Sequence, residues 1–205
     1  MSTIQFRRRL IKADMERMHL PEEYWTAKVD SAPESVREPL VRYLMGIDAM
    51  MAKGVGLLLF GNRGVGKTAI SAIVAKEARC RSYTVLFMRL WEFREMLRSK
   101  VLFDSNTTMM DRAREVDVLV VDDLRVADAT ERFFSLTEVQ QLIKSRGSKR
   151  KVTVVTSRTT VKGLREAPLD GLFDASAGTL VPMLVEGPDL YRIRSEEMTK
   201  AVFGE

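Results

Sequence analysis

The stretch Gly61-Asn-Arg-Gly-Val-Gly-Lys-Thr68 restricts what this chain can fold into more than any other, because it fits G-x-x-x-x-G-K-[ST] and follows an apolar run. Phosphate oxygens must be met by backbone N–H groups at close range, and side chains at the glycine positions would hold the chain away or forbid the required φ/ψ. The pattern therefore predicts a strand, a phosphate-cradling turn through Gly61, Asn62, Arg63, Gly64, Val65 and Gly66, and a helix opening at Lys67, Thr68 and Ala69. That helix adds the positive end of its dipole. Lys67 is expected to set a point charge against the β- and γ-phosphates of ATP, and Thr68 to give an oxygen to Mg²⁺. The bland alternative is a glycine-rich turn with no ligand, and the strand before and helix after argue against it.

At 205 residues the chain has the length of one domain with a full core. Its 45% hydrophobic and 30% charged residues are those of an ordinary globular protein and argue against disorder. With Cys80 the only cysteine and His19 the only histidine, neither an internal disulfide nor a cysteine- or histidine-rich metal site is expected, and a reducing compartment follows. No apolar run approaches the ~20 residues of a membrane span, and the start MSTIQFRRRLIKADMERM lacks a secretory core, so a cytoplasmic protein without a membrane partner is expected. The net charge of +5 permits nucleic-acid contact without requiring it.

Residues 1–20 mix Arg7, Arg8, Arg9, Lys12 and Arg17 with Ile4, Phe6, Leu10, Ile11, Met15 and Met18, a basic amphipathic segment that either grips a partner or docks on its own domain. The remainder, 21–205, reads as one nucleotide-binding domain. Pro21, Pro33 and Pro39 punctuate a connector before a single helix carrying Leu40, Val41, Leu44, Ile47 and Met51 and ending at Gly54. Apolar strands are predicted at 57–60, 84–88, 116–121, 152–156 and 180–185, with helices at 67–79, 90–98 and 136–143 and a loop at 101–108. Trp91 and Phe93 read as core at helical spacing rather than as base-stacking residues. The alternation predicts a three-layer α/β domain with a mostly parallel sheet.

The run Val118-Leu-Val-Val-Asp122-Asp123 brings a second chemical station to the carboxyl end of a buried strand, where ligands of open α/β sheets gather. Asp122 is placed to hold Mg²⁺ and Asp123 to orient or deprotonate the attacking water. A plain turn after a strand is the structural alternative. The basic cluster Lys144, Arg146, Lys149, Arg150 and Lys151 precedes the next strand; Lys149, Arg150 and Lys151 are expected either to touch single-stranded DNA phosphates or to be a solvated loop.

Taken together, GNRGVGKT, VLVVDDL, VTVVTSR, the closing Gly187-Pro-Asp-Leu-Tyr-Arg192 and the earlier MHLPEEYW resemble the AAA+ ATPases of the DnaC and IstB type over roughly residues 15–195. The resemblance implies an ATP-driven remodelling module with the three-layer P-loop NTPase fold of the AAA+ type. It places Thr156 and Ser157 in the sensor-1 region and Arg192 where the family has a late arginine. Arg158 stands where the family usually has Asn, and 172–179 lacks the arginine that family members use to complete a neighbour's site. Arg146, Arg158 and Arg165 are the substitutes, Arg146 because the family keeps an arginine nearby that would face a neighbouring subunit. The expected function is that of a slow or partner-stimulated ATPase, a DnaC-like loader of a replicative helicase in DNA replication that self-associates on binding ATP. The rival is an IstB-like adaptor that recruits a transposase. A small-molecule kinase, using the same loop, is the weakest reading.

Overall fold

The computed structural model describes residues 8–92, 109–124, 129–159, 161–164 and 178–204. Five strands form one sheet, β1 (Gly56–Phe60), β2 (Val85–Arg89), β3 (Val118–Leu124), β4 (Val152–Ser157) and β5 (Leu180–Leu184), in the order β2-β3-β4-β1-β5. Every pairing between them is parallel. The three layers follow from the period of two along a strand. Leu57 and Leu59 face one core with Val85, Phe87, Val118, Val120, Val152 and Val154, whereas Leu58 and Phe60 face a second with Leu86, Met88, Leu119, Val121 and Val155. A strand buried on both faces must be apolar at every position, which is why these segments read as continuous hydrophobic runs.

The first core is closed by α2 (Glu34–Met45), α3 (Ile47–Lys53) and α4 (Lys67–Cys80), preceded by the short α1 (Lys12–Arg17). Residues on α5 (Met109–Glu115) and α6 (Ala129–Ser148) close the second, through Ala113, Val139, Leu142 and Ile143. β5 is an edge strand with Val181 and Leu184 partly exposed, and its Pro182 sits where such a residue is tolerated.

The segment before the glycine loop is two helices rather than one. Gly46 (φ −93°, ψ 15°) separates them, and Gly54 in the left-handed conformation ends the second. Pro39 lies inside α2 instead of in a connector: the burial of Val36, Leu40, Tyr43 and Leu44 along that helix outweighs the lost backbone donor. Residues 8–20 dock on the domain itself. Met18 and Leu20 are buried, Phe87 N donates to Met18 O at 2.7 Å, and the buried Asp14 receives Arg79 at 3.0 Å and also pairs with Arg8. No helix among the described residues is long and apolar enough to cross a membrane.

Two further expectations are corrected. β3 starts at Val118, because Asp117 is engaged at the sheet margin by the N–H (2.9 Å) and hydroxyl (2.7 Å) of Thr84. Trp91 is not core: Leu90 takes the inward position at the end of β2, and the neighbouring indole, 58% exposed, lines a cleft. Phe93, the loop at 101–108 and Arg165 lie outside the described residues.

Candidate nucleotide site

The glycine loop joins β1 to α4 and curls over the first turn of that helix, whose N-cap is Gly66 at φ 92°. Lys67 is buried. Its ammonium donates to Gly61 O at 2.8 Å and to Asn62 O, so the loop's own carbonyls satisfy the charge in the structure. Burial pulls the Lys67 pKa down and the nearby Arg158 charge adds to the fall, against the opposing pull of Asp123 and Asp122. Two cations thus converge beside a helix N-terminus, an arrangement that asks for an anion between them. Val65 is buried under the loop, while Asn62 and Arg63 are exposed.

Gly64 (φ 77°) also has a packing role. A Cβ there would stand 1.9 Å from Asp189 Oδ1, so only glycine lets α7 (Leu190–Phe203) begin against the loop. Asp189 caps that helix, accepting from Tyr191 N at 3.0 Å and Arg192 N at 3.3 Å, and Leu190 N donates to Gly64 O at 3.1 Å. Arg63 stacks 5.7 Å from the Tyr191 ring, and the Tyr191 hydroxyl lies 3.4 Å from that of Tyr24. A cleft of about 420 Å³ results, walled by Tyr24, Leu190, Tyr191, Arg194, Arg89 and Trp91 and floored by the loop and the acidic pair.

The acidic pair occupies a bulge. The β3–β4 register slips between Val121 and Leu124, and Asp123 takes a left-handed backbone (φ 61°), a conformation that costs a non-glycine residue on the order of 1 kcal/mol. The slip turns two consecutive carboxylates toward the same cleft, which regular alternation would forbid. Thr156 pins the geometry: its hydroxyl accepts from Asp123 N at 2.8 Å and donates to Asp122 Oδ1 at 2.7 Å. Thr68 Oγ1 donates to the same carboxylate, 3.0 and 3.2 Å from its two oxygens. Burial pushes the Asp122 carboxyl above the usual range, partly offset by these two hydroxyls. Arg158 grips Asp123 with both arms, Nε to Oδ1 at 2.8 Å and a terminal nitrogen to Oδ2 at 3.3 Å.

Of the residues singled out from the sequence, Gly64, Gly66, Lys67, Thr68, Ala69, Asp122 and Asp123 line this cleft. Ser157 is buried and donates to Leu124 O at 2.9 Å, leaving Thr156 as the sensor-region residue in the cleft wall. Arg192 pairs with Glu196 at 2.7 Å, and it is Arg194 that reaches the wall. Arg89 belongs to no motif, whereas Tyr24 and Tyr191 lie within MHLPEEYW and Gly187-Pro-Asp-Leu-Tyr-Arg192 without having been singled out as site residues. The position of Arg89 at the carboxyl end of a strand was the one signal that pointed to it.

Arg146 does not face a neighbour. It is fully buried, with Nε donating to Thr153 Oγ1 at 3.1 Å and its terminal nitrogens to the carbonyls of Ala113, Arg114, Val116, Asp117 and Val152 at 2.6–3.3 Å. Burial pushes its pKa down to about 10. Lys149 and Lys151 lie near it, at the amino ends of the strands. Lys149 pairs with Glu115 at 2.9 Å and Lys151 with Asp117 at 3.7 Å, whereas Arg150 is exposed.

With this geometry in hand, the model of the family described as "IstB-like ATP binding protein" matches residues 5–170. No curated protein matches the chain significantly. Among solved structures, the DnaI crystal structure is similar with a TM-score of 0.68 and 21% identity, covering 87% of this chain and 100% of that one. The DnaC helicase loader gives 0.66 and 16%, covering 81% and 100%. AMPPCP-bound DnaA from Aquifex aeolicus gives 0.60 and 19%, covering 87% of this chain and 55% of that one. At such identities the likeness establishes the fold, that of an α/β P-loop NTPase of the AAA+ type.

Proposed function

The chain belongs to the IstB-like ATP binding protein family, and on that premise we propose that it binds ATP with Mg²⁺, hydrolyses it slowly and uses the cycle to place a replicative helicase on DNA. The observation that carries the catalytic part is the bulge that turns Asp122 and Asp123 together toward Lys67 and Thr68. Thr68 and Asp122 already touch through hard oxygen donors, a set that suits Mg²⁺, and no group of three or more His, Cys, Asp or Glu among the described residues makes an all-protein metal site. Those two residues would hold the ion, which would supply positive charge against the phosphate oxygens. Lys67 exchanges its two loop carbonyls for phosphate oxygens. Asp123 takes the proton of the water that attacks the γ-phosphorus, while the bond to the bridging oxygen breaks and ADP leaves.

In this reading Asp123→Asn retains ATP binding and lowers turnover by about 10²-fold or more, whereas Asp122→Asn chiefly weakens Mg²⁺-dependent binding. A phosphate-release assay beside a nucleotide titration checks both. Parent-level turnover in both variants would return the acidic pair to a structural role.

The likeness to DnaI and the DnaC helicase loader supports a helicase as the partner. The family match supports the second reading, an adaptor that recruits a transposase. A pull-down with the chain held in a slowly hydrolysed ATP analogue separates the two by which enzyme is retained, and light scattering of the same sample tests self-association. Contact with single-stranded DNA is assigned to Lys149, Arg150 and Lys151. Replacing all three with Ala is expected to weaken binding regardless of sequence and to flatten the salt slope by about 0.7 per lost contact. An unchanged slope would leave this loop to its acidic partners.

A further inference from the structure

Arg158 occupies the space between the two halves of the site. In the β1–β4 register Ser157 stands beside Phe60, so the next residue, Arg158, is level with Gly61, where the glycine loop begins. On its other side β4 pairs with β3, Ser157 beside Leu124, which brings Arg158 to the acidic pair. Its side chain lines the same cleft as Lys67, Thr68 and Asp123 and is about one-third exposed.

We propose that Arg158 reads the γ-phosphate from within the same chain: without nucleotide its guanidinium clamps Asp123, and ATP draws the guanidinium onto the γ-phosphate, freeing Asp123 to take the proton of water. The proposal rests on the ATP reading above.

First, the two partners differ in freedom. Asp123 is held by its left-handed backbone and by its N–H bond to Thr156, whereas Arg158 is a long side chain on the first residue beyond a fixed strand, so the arginine is the member that moves. Second, the exchange is favourable. A guanidinium fork fits carboxylate and phosphate equally well in shape, and a terminal phosphate carries more negative charge than a single carboxylate. Third, the positive charges of Arg158 and Lys67 already repel each other across the cleft, and an anion placed between them removes that repulsion. A diphosphate lacks the group that would compete for the guanidinium, so with ADP the clamp stays shut. The neutral Asn usual at this place in the resembling ATPases has no charge with which to hold the carboxylate.

The test is calorimetric titration of the full chain and its variants with a slowly hydrolysed ATP analogue and with ADP, each in Mg²⁺, after thermal melts show that every variant folds. Arg158→Ala is expected to lose about tenfold in affinity for the analogue and less than about twofold for ADP, the size of one charge-assisted contact. Arg158→Lys, which keeps the charge without the fork, should fall between. Asp123→Asn should bind the analogue several-fold more tightly than the parent, since nothing competes for the guanidinium. That gain should vanish in the double variant Arg158→Ala/Asp123→Asn. A parallel loss of both nucleotides in Arg158→Ala, no selective loss, or a gain from Asp123→Asn that survives in the double variant would overturn the clamp and leave the ATP reading standing. A parent chain that binds neither nucleotide would overturn both.

Discussion

Arg146→Leu is expected to destabilise the domain by about 3–5 kcal/mol, read as a lower urea midpoint at unchanged slope. The guanidinium sits where the end of α5, the start of β3 and the start of β4 meet, and it supplies donors to five backbone carbonyls, of which that of Asp117 also accepts Val152 N at 3.0 Å. Leucine fills much of the volume but donates nothing, and each buried acceptor left without another partner costs ~1–3 kcal/mol unless water enters. Two of the carbonyls, of Ala113 and Arg114, belong to the last turn of α5, so the arginine also meets the negative end of that helix. Arg146→Lys should recover only part of the loss, because three donors on one nitrogen cannot span the positions that a planar fork reaches. Nucleotide affinity of the folded fraction should stay within about twofold of the parent. A stable Arg146→Leu protein with impaired ATP turnover only on self-association would instead restore a role at a neighbour's site.

Lys67→Ala is expected to weaken ATP binding by about two orders of magnitude, consistent with ~1.5–3 kcal/mol for a charged hydrogen bond in a largely desolvated position. ADP should lose less, since part of the charge acts at the γ-phosphate. The parent should show a pH dependence with a definite sign. In the free protein burial and Arg158 lower the Lys67 pKa, and phosphates beside the ammonium would raise it again. Binding therefore takes up a proton on the alkaline side: affinity is full below the free-protein pKa and falls as pH rises through it. In Lys67→Ala that part of the alkaline fall should be absent. Titrations across neutral to alkaline pH check both statements, and equal affinity of parent and variant would remove the phosphate-loop assignment.

The glycine loop, the buried strands and the acidic pair were legible in the sequence because each rests on local chemistry. A turn whose φ/ψ demand glycine, a strand apolar at successive positions and two consecutive carboxylates declare themselves within a dozen residues. The same locality explains the misreadings. Pro39 looked like punctuation and Trp91 like core, but whether Pro39 is tolerated depends on what α2 buries, and Trp91 is exposed because Leu90 took the inward position. Arg146 read as one of a basic cluster, placed to face a neighbouring subunit. Only the meeting of α5, β3 and β4, which brings up carbonyls 29 to 33 positions earlier in the chain beside that of Val152, surrounds it with acceptors and makes burial tolerable. The pairing of Arg158 with Asp123, 35 positions apart, is likewise a product of strand register. Composition and periodicity along a chain decide which elements form and where phosphate fits. Which charges face one another across the cleft is decided by register, a bulge and packing, which no stretch of sequence contains by itself.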